Sequence, residues 1–180
     1  MLITVHPCFH WIGYHMSTGF LQEGRQVIGI DRMDASLSEY LYMHVGRNSN
    51  FQHFYSKDDK ERHTQPTDDE LFIEYADQYL MVERKHEDRI FVQVELPKLY
   101  GEWMDISQKG IEEEEELLEW VRESKAVYIS DFLNEFIPYV LTLKEERQPK
   151  PFEDLCSPED HKKRVESVWK AYQTMRKLYL

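Results

Sequence analysis

Four side chains able to bind a metal or move a proton crowd the first fifteen residues: His6, Cys8, His10 and His15. Alternate residues of an extended segment share a face, so His6, Cys8 and His10 would lie together if that stretch were strand. Their spacing matches no standard zinc pattern, and no second ligand cluster follows, so no metal site is expected. His10 at the start of a helix is read instead as filling space in the turn. Asp31 closes an apolar run, where a carboxylate could accept hydrogen bonds from a ribose if the turn before it held a nucleotide. The run Glu112 to Glu116 could attract a basic partner or a cation, but its commoner use is a solvated helical face. Asp58-Asp59-Lys60-Glu61-Arg62 mixes signs and reads as exposed loop.

The elements that must position these groups follow from apolar period and punctuation. Leu2 to Val5 and Gln26 to Ile30 are short β-branched runs that read as buried strands. Trp11 to Glu23, closed by Gly24, and Ser36 to Val45, closed by Gly46, have helical spacing. Phe51 to Tyr55 is a third strand, and Ser56 to Thr67, polar and without period, is read as a loop. Alternating strands and helices with short connections predict a parallel α/β half-domain. Asp68 to Lys85 places Leu71, Phe72, Tyr75, Tyr79 and Val82 on one side and is read as an amphipathic helix, followed by a strand Arg89 to Leu96. Farther on, helix is expected over Glu112 to Arg122, extended chain over Ala126 to Ile129, and helix over Asp131 to Leu143, where Pro138 should kink or shift it. Glu145 to Pro158 holds three prolines and reads as a connector. Ser157-Pro158-Glu159-Asp160 suits the start of a last helix.

With 180 residues, 41% of them hydrophobic and 13% aromatic, the chain can build a real core. Its formal charge of -12 repels phosphate backbones and anionic lipid surfaces, which argues against nucleic acid and membrane partners. No apolar run approaches the ~20 residues that cross a bilayer, and the first residues carry no basic-then-apolar leader. Cys8 and Cys156 lack metal spacing and read as free thiols of a reducing compartment, so a cytoplasmic protein is expected. The large rings, among them Trp11, Tyr14, Tyr40, Tyr42, Trp103, Trp120 and Trp169, exceed what a small core needs. They either fill internal space or form a partner surface.

Val5-His6-Pro7-Cys8-Phe9-His10-Trp11-Ile12-Gly13-Tyr14-His15-Met16 resembles the first strand, turn and helix of the extended short-chain dehydrogenases, the family of NAD-dependent epimerases and dehydratases. The family's three glycines fall on Pro7, His10 and Gly13. Val27-Ile28-Gly29-Ile30-Asp31 is similar to its second strand with the ribose-binding acid, and Gly46 to Phe51 to the approach to its third. Leu96-Pro97-Lys98-Leu99-Tyr100-Gly101 and Val127-Tyr128-Ile129-Ser130-Asp131-Phe132 resemble two later elements. Ala76-Asp77-Gln78 aligns with an Ala-Glu-Gln on the helix that bears the family's catalytic Tyr-x-x-x-Lys.

The resemblance implies a truncated, three-layer Rossmann-like α/β domain over residues 1–143, with a short parallel sheet of about four or five strands. Residues 144–180 would be a connector and a C-terminal helix packing on the same domain. The expected strand order is 3-2-1 followed directly by Arg89 to Leu96. A homodimer through the helix 68–85, using Leu71, Tyr75 and Tyr79, is the quaternary state the resemblance implies.

It also implies where the site would be and what it lacks. Gly13, Asp31 and His10 are the cofactor-binding positions of a degenerate site. Pro7 has no N–H and cannot take positive φ, and His10 puts a ring where a pyrophosphate would meet bare backbone, so NAD(P) binding is not expected. Asp69 and Ile73 stand where the tyrosine and lysine would be, so no catalytic residue is assigned. The expected function is that of a pseudoenzyme acting through protein contact. Alternatives are a small-molecule sensor with a reshaped nucleotide or nucleotide-sugar cleft, and an oxidoreductase or epimerase of altered chemistry using His6, His10 or Asp31.

Overall fold

The structure, a computed structural model, describes residues 1–86, 88–146, 152 and 160–179. The described residues pack as two compact units, one formed by those of 1–95 and 136–146 and the other by 96–135, 152 and 160–179. The segment 96–135, which the sequence reading kept with the first domain, thus packs with the C-terminal helix. Cys156 and the capping stretch Ser157-Pro158-Glu159 lie outside the described residues.

The first unit is α/β and consistent with a Rossmann-like domain. Strand β1 (Leu2–His6) leads to helix α1 (Trp11–Gln22), β2 (Gln26–Ile30), α2 (Ser36–Val45) and β3 (Phe51–Phe54), all within a residue or so of the expected bounds. Parallel pairing sets Ile3 beside Val27 and Val27 beside Phe51. Gly24 ends the α1 turn at φ +70, a conformation glycine takes without steric cost.

Two expectations fail after β3. Residues 57–63 are not loop but a short helix α3 (Lys57–His63), because Ser56 accepts a hydrogen bond from the Asp59 N–H at 3.0 Å and Asp58 and Asp59 sit in its first turn. The stretch 68–85 is not a helix. It is a hairpin of β4 (Glu70–Ala76) and β5 (Tyr79–Lys85), with Ala76 opposite Tyr79 and a two-residue turn at Asp77-Gln78. Asp77 takes the left-handed φ of 58 that such a turn requires. The apolar residues that fit a helical stripe fit alternation better: Leu71, Ile73, Leu80 and Val82 are all fully buried. The interface helix expected for a homodimer therefore does not exist, and Leu71 is core. The alignment of Ala76-Asp77-Gln78 to a catalytic helix falls with it.

The sheet order is β3-β2-β1-β4-β5-β6, with β6 at Arg89–Glu95. β4 is parallel to β1, so it fills the slot expected for residues 89–96, and those residues form the far edge, antiparallel to β5. The parallel part has four strands, as expected; the antiparallel pair extends it into a mixed sheet of six. One face carries Ile3, Val5, Val27, Leu71, Ile73, Leu80, Val82, Val92 and Val94, all nearly or completely buried. The other face holds a buried triad: Thr4 Oγ1 donates to Glu70 Oε1 at 2.6 Å, and Lys60 of α3 pairs with the same carboxylate. Burial alone would raise the Glu70 carboxyl, but hydrogen bonds from Lys60 and Thr4 and the charges of Lys60 and Lys85 hold it below the usual range.

The second unit has a two-stranded parallel sheet, β7 (Leu99–Tyr100) beside β8 (Val127–Tyr128). Helix α4 (Glu114–Ser124) packs on α6 (His161–Leu178), burying Leu117 and Val121 on one and Val165, Val168 and Met175 on the other. The glutamate run opens α4, where the dipole favours acid, and Glu116 accepts from the N–H groups of Glu112 and Glu113 at 2.7 and 3.2 Å. Helix α5 (Ile129–Leu141) begins here and keeps Pro138 inside it. Among the described residues no helix is long and apolar enough to cross a membrane.

The tightest constraint lies between β1 and α1. A Cβ on Gly13 would sit 2.0 Å from the Pro7 carbonyl oxygen and 3.2 Å from Cys8 Cα, both fixed backbone. Gly13→Ala should therefore cost about 3 kcal/mol or more, measured by urea denaturation. A loss under ~1 kcal/mol would mean that α1 can slide from its seat.

Candidate functional site

The β1–α1 turn lies at the carboxyl ends of the parallel strands, where open α/β sheets bind ligands. The His6-Pro7 peptide is cis. Cys8 donates its N–H to the Ile30 carbonyl at 3.0 Å, tying the turn to the end of β2. Its thiol is buried beside Gly29, where a Cβ would come within 2.6 Å of Sγ. Burial, with the nearby Asp31 carboxylate, pushes that thiol well above its usual range, so it is no nucleophile.

The three expected cofactor positions are brought together, each engaged within the protein. Gly13 supplies the close packing described above. Asp31 accepts from the Phe9 N–H through Oδ2 at 3.0 Å and from the Met33 N–H through Oδ1 at 3.2 Å, and its carbonyl accepts from His53 Nε2 at 2.8 Å. His10 is the N-cap of α1, its Nδ1 accepting from the Ile12 N–H at 3.4 Å. Its ring stacks on Tyr75 at 4.2 Å and 14°. Burial lowers the His10 pKa to about 4 against an opposing pull from Asp31, so the ring is neutral and free to accept that bond.

Aromatic rings close the rest of the mouth. Phe9 is buried, and its ring meets Tyr42, Phe51 and His53 at 6.1, 6.5 and 5.3 Å, while His53 meets Tyr55 at 5.0 Å. Phe9 thus fills internal space, while Tyr42, one of the excess rings, stays 38% exposed. The sequence reading missed Phe9 and Tyr75: Phe9 sat among variable turn positions, and Tyr75 was assigned to a helix that is a strand. His6 donates through Nδ1 to the Ile30 carbonyl at 3.1 Å and lies 3.8 Å from Glu74, away from the His10 ring contacts. Among the described residues no cluster of three or more His, Cys, Asp or Glu side chains could hold a metal.

In the second unit the two stretches that carried the later resemblance pair directly as β7 and β8, and a polar cluster surrounds them. Tyr100, fully buried, is hydrogen-bonded through its hydroxyl to His161 Nδ1 at 3.0 Å. Tyr128 and Ser167 both donate to Glu102 Oε1, at 2.7 and 2.6 Å. Arg164 grips Asp131 with two bonds of 2.6 and 3.0 Å and lies 4.9 Å over the Tyr128 ring. Burial and then the Glu102 carboxylate push the Tyr128 hydroxyl well up, so it stays a donor. Burial, then the charges of Arg164 and Arg122, lower His161. The arrangement fastens α6 to β7, β8 and the start of α5.

No family model matches the chain, and neither a curated protein nor a solved structure does.

Two measurements follow from these contacts. The folded pKa of His10 lies below its unfolded value, so the unfolded chain takes up the proton first as pH falls. Stability is then full above about pH 6.5 and declines toward pH 4, by up to about 3 kcal/mol. His10→Asn keeps a capping oxygen and should flatten that slope in urea titrations; an unchanged slope would place the titration elsewhere. Asp131→Asn, which removes the carboxylate charge facing Arg164, should cost about 1–2 kcal/mol, and a change within about 0.3 kcal/mol would show the pair to be solvated.

Proposed function

We propose that this chain is a non-catalytic relative of the extended short-chain dehydrogenases that works through protein–protein contact, as a regulator or an assembly subunit. The observation that carries the reading is the state of the β1–α1 turn. Both Asp31 oxygens are bound by the chain's own N–H groups. The His10 ring occupies the first turn of α1, where a diphosphate would need bare backbone. The pairing of β7 with β8 supports the kinship, because both strands come from stretches that resemble the family. The hairpin at 70–85 supports the loss of chemistry, since no helix there can present a tyrosine and a lysine one turn apart. A reducing, cytoplasmic setting accords with Cys8 as a free, buried thiol.

A second reading, a small-molecule sensor, is favoured by one feature. A concavity of about 230 Å³ opens on the sheet face that carries Ile30, with Phe72, Met81 and Phe91 as apolar lining and Lys57, Lys60 and Lys85 among its charges. It does not involve the His10 turn.

Melting the protein with about 1 mM NAD(H), NADP(H) or a nucleotide sugar separates the two readings. No saturable rise in Tm is expected with any of them. A rise that survives His10→Gly but is lost with Phe72→Ala would move the function to the concavity. A rise with NAD(H) in the wild type would overturn the pseudoenzyme reading.

A further inference from the structure

Strand β6 ends the sheet. Among the described residues it pairs with β5 alone, leaving a seven-residue edge, against four at the β3 edge. An open edge offers a row of N–H and C=O groups to another strand, and proteins usually guard it with proline, a bulge or an inward-pointing charge. β6 has no proline, bulge or inward charge over its length, and its own charges, a further common guard, stand only at its two ends as Arg89 and Glu95. Its inward residues are Ile90, Val92 and Val94, all buried, and its register with β5 runs unbroken from Arg89 to Glu95.

The outward residues are Arg89, Phe91, Gln93 and Glu95, all exposed, with Phe91 at 47%. Read in both directions, this order is complementary to itself. When a second β6 runs antiparallel with Val92 opposite Val92, Arg89 faces Glu95 of the other copy at both ends of the joint. Ile90 faces Val94 on the buried side. Phe91 faces Gln93, and the two Phe91 rings become diagonal neighbours, within reach of each other on one face. Shifting the register by one residue would set outward side chains against inward ones, and shifting it by two would part Arg89 from Glu95, so faces and charges together select this alignment. Arg89 already contacts Glu83 on the neighbouring strand at 2.5 Å, which holds the guanidinium on the outward face.

We infer that β6 is the joint through which two copies of this chain associate, antiparallel about Val92, into one continuous sheet with two-fold symmetry. Such a contact is isologous and closes on itself, so it yields a dimer and not a fibre. The inference is independent of whether the β1–α1 turn or the concavity binds a nucleotide.

Sedimentation velocity from about 1 µM to about 200 µM tests it, with charge-swap variants. The wild type should dimerise. Arg89→Glu sets acid against acid twice, and Glu95→Arg sets base against base twice, so each alone should weaken dimerisation at least about tenfold. The double variant restores both pairs and should return to within about threefold of the wild type. A wild type that stays monomeric, single variants that dimerise normally, or a double variant with native circular dichroism that fails to recover would each overturn the joint. If a single variant fails to fold, hydrogen exchange on the wild type decides: amides of Arg89–Glu95 should slow as concentration rises, and constant rates would refute the proposal.

Discussion

The Pro7 carbonyl oxygen lies where a side-chain carbon on residue 13 would have to be, and that close approach organises the first unit. Because residue 13 is glycine, α1 can press its first turn against the backbone leaving β1. Its N-terminus then stands directly over the end of the parallel strands. His10 becomes the N-cap, Phe9 turns into the space beside β3, and the Phe9 N–H is delivered to Asp31. These contacts share one turn, so they depend together on the seating of α1.

A helix N-terminus at the mouth of a parallel sheet is a ready anion site, with free N–H groups and the positive end of a dipole. Here the protein's own groups meet that end. Neutral His10 accepts one N–H, and the Asp31 carboxylate takes the Phe9 N–H just before the helix, where its negative charge suits the positive end of the dipole. The rings of Phe9, Tyr42 and His53 gather beside this turn. The His10 cap and the Asp31 carboxylate are thus engaged within the protein, while the open strand edge and the sheet face offer surfaces with unused capacity.

The second unit meets a different problem. Among the described residues its sheet has two strands, and α6 is held partly by its buried apolar face. Directional contacts supplement it: the two-pronged Arg164–Asp131 pair, the Tyr100–His161 bond and the shared acceptor Glu102. Each fixes orientation as well as proximity, which apolar packing cannot do by itself.

The sequence alone determined the first half of the sheet. Strands β1 to β3 and helices α1 and α2 are legible because each is punctuated by its own glycine or charged residue and buried on a single local period. Gly13 and His10 open α1 and Asp31 follows β2, and their nearness at one turn follows from the β1–α1–β2 order. What tertiary structure decided is the region 70–95. Leu71, Phe72, Tyr75, Tyr79 and Val82 satisfy a helical stripe as readily as strand alternation. The choice fell to β1, whose open side could pair with Glu70–Ala76 and bury Leu71 and Ile73 completely. Tyr75 was thereby set under the His10 ring, and β6 was carried to the sheet's far edge. A periodicity shared by two structures carries no preference between them, and hydrogen-bonding groups on a neighbouring strand, remote in sequence, supply it.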